Sequence, residues 1–371
     1  MNCSTLIYVV HSLNPGGAEK LVVNMSVAFA SDFKVVVICL DEPGLWAKNL
    51  REKQIPVHCV WRQPGMDMNV PVRLANLFRR HRANIIHAHQ CTPWFYSALS
   101  RLIYSAPFLL VEEHGRFYPE VKNSKRIFIN RLITRRLTHR FVAVSKDVKE
   151  RLQKFEGLDQ AHIEVVYNGV NADLTIKQTE RFQLRSDMGF SPEDFVVGTV
   201  GRFNTIKNLP MMVKALNQSF KNEPSIRGLL VGDGPVFGDI KALIKKSGLS
   251  GVVMLTGHRD NARNLMHCMD LFILSSFSEG TSMALIEAMA AGVPVAVTDV
   301  GGNPEIVTKN ETGWIIPSGS VECLVSAILE AVKNSDKRKM LGEAGKRRFK
   351  ERFTFDRMIH GYRKIYGEMI E

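Results

Sequence analysis

Two glutamates, Glu279 and Glu287, lie eight residues apart within residues 275–302. The pattern predicts a strand, a short polar turn and a helix that ends at Gly292–Pro294. Glu279 falls in the turn and Glu287 about two turns inside the helix, since a turn takes about 3.6 residues. Unpaired N–H groups at the helix N-terminus lie between them and attract anions. The arrangement suits a nucleotide sugar, with its diphosphate on the amides and its hydroxyl groups against the carboxylates.

A pair of cations follows another predicted strand, Phe195–Val200. This strand runs into Gly201 and Arg202, and Lys207 comes five residues after Arg202. Arginine presents a planar fork of donors and lysine a point charge. Both could reach one diphosphate where the strand ends and a helix begins, although two surface cations would look the same in the sequence.

Polar turns also follow strands in the first half of the chain. Asn14, Gly16 and Gly17 come after the first strand, where two glycines would let a ligand approach the backbone closely. A plain tight turn is the alternative, and the spacing is not the dinucleotide-binding fingerprint. His114 and Arg116 follow a later strand, and Arg116 could clamp an acidic acceptor or a diphosphate.

Apolar strand patterns alternate with amphipathic helix patterns along the whole chain, which is typical of α/β proteins with parallel sheets. The predicted strands are Leu6–Val10, Lys34–Leu40, Asn84–His87, Phe108–Glu112, Phe141–Val144, Phe195–Val200, Ile226–Val231, Val252–Thr256, Leu271–Leu274 and Val293–Thr298. The polar stretch 173–191 has little strand character and is predicted to be a linker. We therefore expect a first doubly wound domain over 1–172 and a second over 192–352.

Size and composition narrow the class of protein. A chain of 371 residues fits two ordinary domains, and 45% hydrophobic residues with 23% charged residues indicate a globular protein. The scattered cysteines indicate neither disulfides nor a zinc site. The N-terminus lacks the cationic start of a signal peptide, and no apolar run is long enough to span a bilayer, so we expect a cytoplasmic protein.

The net charge of +12 is concentrated in the first half, where residues 1–172 hold 23 Lys and Arg against 14 Asp and Glu. Its local source is Val121–Arg140, which carries seven cations and no acid. Such a helix could lie on an anionic membrane leaflet, on the inner face of the cell membrane. The simpler interpretation is a solvated helix packed by its apolar face. Aromatic residues for base stacking are lacking, so nucleic acid is not an expected partner.

The stretch 275–302 resembles the Glu-x7-Glu signature of the family-4 retaining glycosyltransferases, in the glycogen-synthase-like clan. Other segments resemble the same family in the same order. They are Gly16-Gly17, His114, Ser145, Asn168-Gly169-Val170, Arg202 with Lys207, and Gly232–Pro235. The resemblance covers most of the chain and departs at Asn171, where relatives commonly carry Asp. It implies the GT-B fold, in which two doubly wound Rossmann-like domains face each other across a cleft and a terminal helix, here 353–371, packs back on the first domain.

The resemblance also implies roles for individual residues. Glu279 would face the sugar, Glu287 would hold the ribose, and His114 would contact the donor sugar. The implied catalytic residues are Glu279, His114, Arg202 and Lys207. The implied donor-binding residues are Gly16, Gly17, Arg202, Lys207, Gly257, His258, Gly280, Thr281, Ser282, Met283, Ala284 and Glu287. Asn14 and Arg116 would lie on the acceptor side.

The implied reaction moves a sugar, with retained anomeric configuration, from a nucleoside-diphosphate sugar to a glycan or lipid-linked acceptor. UDP is the expected nucleotide by family frequency alone. The sequence has no Asp-x-Asp pair, which the other large class of nucleotide-sugar transferases uses to hold a metal, so we expect no metal and no cofactor. Two alternatives remain open at this point. They are a non-hydrolysing nucleotide-sugar 2-epimerase on the same scaffold and an inactive nucleotide-sugar-binding subunit.

Overall fold

A computed structural model describes residues 4–115, 120–171 and 176–371. The chain divides into two compact units. The first comprises Met1–Asn168 and Arg357–Glu371, and the second Gly169–Asp356. No helix in the described part of the chain is long and apolar enough to cross a membrane.

The first unit is built on a seven-stranded sheet whose paired strands all run parallel. Its strands are β1 (Thr5–Val10), β2 (Lys34–Cys39), β3 (Val57–Cys59), β4 (Ile85–His89), β5 (Phe108–Glu113), β6 (Arg140–Ala143) and β7 (Ile163–Val165), in the order β3-β2-β1-β4-β5-β6-β7. Every residue of β1 is buried. A parallel sheet covered on both faces explains why its central strands read as continuous apolar runs.

Helices connect these strands. They are Gly17–Phe29, Ala47–Glu52, Val70–Arg80, Cys91–Ser100, Ser124–Ile129 with a π-helical continuation Asn130–Thr134, Lys146–Glu156, and the 3₁₀ turn Gln160–His162. The terminal helix Phe355–Ile370 also supplies side chains to this unit. Its Tyr362 and Tyr366 are fully buried, and the Tyr366 hydroxyl lies 3.3 Å from that of Tyr8 on β1.

The second unit repeats the arrangement with six parallel strands. They are β8 (Phe195–Val200), β9 (Ile226–Val231), β10 (Val253–Leu255), β11 (Leu271–Leu274), β12 (Val295–Thr298) and β13 (Trp314–Ile316), in the order β10-β9-β8-β11-β12-β13. In both sheets successive strands are added first on one side of the first strand and then on the other. The strand order therefore reverses between β1 and β4 and between β8 and β11, while all strands stay parallel. In such sheets ligands bind at the carboxyl ends of the strands at this reversal.

The helices of the second unit are Gln178–Asp187, Leu209–Asn222, Phe237–Lys246, Ala262–Leu265, Met283–Ala290, Asn303–Ile306, Val321–Lys333 and Ser335–Arg352, with 3₁₀ turns Thr205–Lys207 and Met266–Cys268. The first of these lies inside the stretch predicted to be a linker, 173–191. Its Arg181 and Arg185 donate to Asp270 at 2.7 and 2.9 Å. These ion pairs fix the helix to the second unit, so the boundary between the units falls earlier, after Asn168.

All ten predicted strands are present, with ends shifted by a few residues. Three strands were not predicted, and they are β3, β7 and β13, each of three residues at a sheet edge. A strand that short has too few residues to show a period of two.

Candidate functional site

The strand reversal of the second unit brings the two predicted charged segments together. Gly201 and Arg202 follow β8, and residues 275–282 follow β11, the neighbouring strand. The Ser275 hydroxyl donates to the carbonyl of Lys207 at 3.0 Å and so ties one loop to the other. Segments that are about seventy residues apart in the chain thus share one edge of the sheet.

An ion pair joins the predicted cation and the first glutamate at this edge. Lys207 Nζ lies 2.6 Å from Glu279 Oε1, and the Ser276 hydroxyl donates to the same oxygen at 2.5 Å. The lysine and glutamate side chains keep 23% and 10% of their surface exposed. The ammonium is therefore held in place by one partner while it stays accessible to a second anion.

The helix Met283–Ala290 begins beside this pair. Ser282 caps it and accepts from Leu285 N at 3.4 Å. The predicted phosphate-binding residues, Gly280 to Ala284, therefore form the last part of the turn and the first residues of the helix. First-turn N–H groups have no partner within a helix, so they can bind an anion.

Glu287 lies one turn into this helix, four residues after Met283, and not two turns as predicted. The difference arises because the polar turn extends to Ser282 before the helix is capped. Glu287 Oε1 lies 2.9 Å from Arg263 Nε, and the Glu287 side chain is 17% exposed. This contact is an ion pair, and Arg263 Nη2 donates a hydrogen bond to the carbonyl of Asn171 at 3.2 Å. No motif in the sequence pointed to Arg263 as the residue that orients this carboxylate.

Three glycines bring neighbouring strand ends of the second unit into backbone contact. A Cβ on Gly232 would meet the carbonyl oxygen of Gly201 at 1.9 Å, and Gly232 N donates to Gly257 O at 3.0 Å. Gly257, a predicted donor-binding residue, therefore lies close to the loop that carries Arg202. His258 points outward, with 63% of its side chain exposed and Nε2 3.3 Å from Asp260.

In the first unit, the turn after β1 is closed by side chains. A Cβ on Gly16 would lie 2.1 Å from the carboxylate of Glu19, two residues after Gly17. Gly16 has an extended backbone, and so the glycine makes room for Glu19. Asn14 Nδ2 donates to Glu42 Oε1 at 2.5 Å, which links this turn to the loop after β2.

His114 turns both ring nitrogens into the protein. Its Nε2 lies 2.7 Å from His89 Nδ1, and its Nδ1 lies 3.5 Å from Glu112 Oε1. The two imidazole rings stack with centroids 5.0 Å apart, and the His114 side chain is only 7% exposed. His114 would thus have to change its rotamer to direct a ring nitrogen at a donor sugar.

Glu112 is the centre of this histidine cluster, which we define as His87, His89, Glu112 and His114. The fully buried carboxylate lies 3.1 Å from His87 Nε2 and 3.4 Å from His89 Nδ1. Burial opposes its ionisation, but His114, His87 and His89 outweigh that effect and hold the pKa of Glu112 well below its usual range. Burial also lowers the pKa values of His87 and His89.

The terminal helix closes the cluster, because Tyr366 Oη lies 2.7 Å from His87 Nδ1. His87 was predicted to be a buried histidine with its polar groups satisfied; it is fully buried, but only its Nδ1 has a hydrogen-bond partner and its Nε2 has none. The cluster as a whole was not predicted, although the sequence contains a signal for it. His87-x-His89 and Glu112-x-His114 alternate on adjacent strands, and the register pairs His89 with Glu112.

His87, His89 and Glu112 bring enough ligand atoms together to raise the question of a metal ion. The rings of His87 and His89 are stacked, with centroids 4.2 Å apart and planes inclined by 27°. Both oxygens of Glu112 and the Nε2 atoms of His87 and His89 are buried without a hydrogen-bond partner, which leaves them able to act as ligands. Arg116 lies outside the described residues.

Two family models match the chain. The model described as Glycosyltransferase Family 4 matches residues 15–174, and the model described as Glycosyl transferases group 1 matches residues 180–348. The chain belongs to the family-4 glycosyltransferases. Its two parallel sheets of seven and six strands with interleaved helices are the GT-B fold of that family.

Individual relatives agree with this assignment. The N-acetyl-alpha-D-glucosaminyl L-malate synthase of Bacillus anthracis is 25% identical over 335 residues, which cover 86% of this chain and 84% of the relative. A UDP-Gal:alpha-D-GlcNAc-diphosphoundecaprenol alpha-1,3-galactosyltransferase of Escherichia coli is 23% identical over 71% of this chain and 70% of its own length. The crystal structure of Anabaena Alr3699/HepE in complex with UDP is similar in fold, with a TM-score of 0.88 and 21% identity over 98% of this chain and all of that one.

Proposed function

We propose that this glycosyltransferase moves a sugar from a UDP-sugar to a glycan or a lipid-linked acceptor and retains the anomeric configuration. The product would belong to a surface polysaccharide or glycoconjugate. The observation that carries the proposal is the Lys207–Glu279 pair of 2.6 Å at the capped N-terminus of helix Met283–Ala290. Cation, carboxylate and helix amides meet there at the strand reversal of the second sheet.

The second unit would bind the donor by its charged and hydroxyl-bearing parts. Arg202, Lys207 and the amides of Gly280–Ala284 would take the diphosphate, because an anion there gains both the ammonium and the helix N-terminus. Glu287, oriented by Arg263, would accept hydrogen bonds from the ribose hydroxyls.

Catalysis would come from charge stabilisation on the leaving group. As the bond from the anomeric carbon to the diphosphate breaks, negative charge grows on the leaving oxygen beside Lys207 and Arg202. Donors already in place for that charge supply a large catalytic term. The leaving oxygen would take the proton of the acceptor hydroxyl on the same face of the sugar, so neither a protein base nor a metal is required. Glu279 would face the sugar hydroxyls.

The basic segment Val121–Arg140 supports a peripheral contact with the cytoplasmic face of a membrane. It is anchored by polar contacts, since Asn130 Nδ2 donates to the fully buried Glu156 at 2.5 Å. The predicted apolar face comprised Ile129, Leu132, Ile133 and Leu137, and of these Leu137 packs on the core. Phe128, Ile129, Leu132 and Ile133 keep 64, 40, 43 and 40% of their surface exposed. Exposed apolar side chains beside cations suit an anionic leaflet.

Vesicle co-sedimentation tests the membrane contact. The protein should bind phosphatidylglycerol vesicles and not phosphatidylcholine vesicles, and Phe128→Ser should weaken the binding. Phe182→Ser is the matched control, because Phe182 is an exposed phenylalanine of the second unit, at 53%. Equal binding by both variants would reject this contact.

The transfer activity is tested with a panel of nucleotide sugars. Thermal shift identifies the donor, since a ligand at about a hundred times its Kd stabilises the folded state by about 2.7 kcal/mol. The product anomer formed with candidate acceptors is then read by NMR. An epimer that forms from UDP-GlcNAc without any acceptor would favour the epimerase alternative, and donor binding without turnover would favour an inactive binding subunit.

A further inference from the structure

The first unit exposes a group of large apolar side chains in the loops that follow β2 and β3. They are Leu45, Trp61, Met66 and Met68, exposed by 71, 59, 72 and 59%. Strands β3, β2 and β1 are neighbours and run parallel, so these loops leave the carboxyl edge of the sheet, beside the turn that carries Asn14. We call this surface the Trp61 platform. The proposed mechanism uses none of the four side chains.

Trp61 is held in an unusual backbone conformation. Its φ is +52°, in the left-handed region that bulky residues rarely adopt. Arg73 Nη1 donates to the Trp61 carbonyl at 3.2 Å, and Arg62 N donates to Leu40 O at 2.7 Å. Arg73 is fixed in turn by Asp67 at 3.1 Å. Such strain persists where the surroundings impose it and concentrates at ligand sites.

Planar polar groups surround the base of the platform. Arg62 Nε donates to Asp41 Oδ1 at 2.7 Å, and His11 Nδ1 lies 3.2 Å from the other oxygen of Asp41. Asn14 bridges this region, because its Oδ1 accepts from Leu45 N at 3.3 Å. The side chains of Asp41 and His11 are 35% and 31% exposed, so both can still reach a ligand.

The charges of this surface favour a neutral ligand over an anionic phosphate. Each guanidinium is matched by a carboxylate, Arg62 by Asp41 and Arg73 by Asp67. Neither of these two arginines is therefore left without an acidic partner, and a phosphate could not replace that partner at no cost. The surface offers instead an exposed indole face, with carboxylate, amide and guanidinium groups next to it. An aromatic ring packs on the apolar C–H face of a pyranose while planar polar groups pair with its hydroxyls.

We propose that the Trp61 platform is a binding subsite for a neutral sugar unit of the acceptor, with Trp61 as the stacking residue and Asp41, Arg62 and Asn14 as the hydroxyl-binding groups. This inference rests on the proposed function and adds the chemical class of the acceptor at that subsite. The subsite selects the acceptor and takes no part in binding UDP.

The full-length protein tests the inference with UDP and with the methyl α- and β-glycosides of glucose, galactose, mannose and N-acetylglucosamine. Saturation-transfer NMR and calorimetry should detect at least one glycoside. Trp61→Ala should weaken that binding about tenfold, the effect of removing an aromatic anchor. Trp61→Phe should retain most of it, and Leu102→Ala should match the wild type. The Kd for UDP should stay the same in all four proteins, which also shows that they are folded.

Three results would overturn the inference. They are no glycoside binding by the wild type, unchanged binding by Trp61→Ala, and a Trp61→Ala variant that loses only its association with lipid vesicles. Failure of the proposed function looks different. In that case the wild type binds neither UDP nor a UDP-sugar, whereas Trp61-dependent glycoside binding is still measured on its own.

Discussion

The histidine cluster of the first unit and the Lys207–Glu279 pair of the second lie near the reversal points of two sheets with the same strand order. The first is closed, since Glu112 is fully buried and His114 is 7% exposed. The second is open, and its lysine keeps 23% of its side-chain surface exposed. The cluster encloses the Glu112 carboxylate among His87, His89 and His114, so its contacts act on the stability of the fold. In the open pair the ammonium can exchange or share its partner, so its charge is available to a ligand.

The largest effect expected from this comparison is on stability, from Glu112→Ala. Removing one partner of a buried ionic group usually costs about 3–5 kcal/mol, because the remaining polar groups stay buried without it. Urea unfolding followed by circular dichroism should show this loss. Glu112→Gln keeps the shape and should lose less. A Glu112→Ala protein as stable as the wild type would mean that the cluster contributes nothing to folding.

Lys207→Ala should act on turnover and leave folding intact. Removing one donor directed at a developing oxyanion lowers kcat about 10²-fold or more. Lys245→Ala, which removes an exposed lysine of the same unit, is the control and should keep full activity. Steady-state kinetics with the identified donor measure both. Unchanged turnover in Lys207→Ala would remove this residue from the site.

Glu287→Ala should weaken nucleotide binding about tenfold or more, since a hydrogen bond to a charged group contributes roughly 1.5–3 kcal/mol. Calorimetric titration with UDP gives the Kd. The exposed loop residue Glu311 supplies the matched variant, Glu311→Ala. If both variants bind UDP as tightly as the wild type, the ribose role assigned to Glu287 is wrong.

The smallest effect is the pH dependence of stability from the closed cluster. Burial lowers the folded-state pKa values of His87 and His89 below their ordinary 6.5, so the unfolded chain takes up protons first as the pH falls. Stability is therefore complete above about pH 6.5 and declines below it, by up to about 1.4 kcal/mol per pH unit for each histidine. The depressed pKa of Glu112 acts in the same direction at lower pH.

Urea midpoints between neutral and mildly acidic pH measure this slope. His89→Gln should flatten it, whereas replacing the exposed His162, also by Gln, should leave it unchanged. Equal slopes in the two variants would show that the buried histidines do not set the acid limit of the fold.

The regular parts of the fold could be predicted because long buried strands have a simple pattern. Six-residue runs such as Phe195–Val200 are almost entirely apolar, whereas three of the four three-residue edge strands, β3, β7 and β13, were too short to stand out. The helix Gln178–Asp187 was missed because only one of its residues, Arg185, is buried. Polar helices of that kind are fixed by ion pairs to distant residues, here Asp270.

The site could be predicted only in part. Residue spacing at strand ends and helix starts, together with the family resemblance, predicted Lys207, Glu279 and Glu287 as site residues, and the structure pairs the first two. Arg263 and Tyr366 were missed, since each contacts its partner from a distant segment of the chain. The inward rotamer of His114 was not predicted either, because it depends on Glu112 and His89 on two adjacent strands.

The amino-acid sequence alone determined the alternation of strands and helices, the family and the chemical types of the groups at the strand ends. These follow from periodicity and local spacing, which need no knowledge of the partner segments. The tertiary structure decided which charged side chains are buried within the protein and which stay accessible to a ligand. It also decided that Trp61 is exposed. Burial and pairing depend on strand register and on residues up to several hundred positions away, and no local pattern encodes those distances.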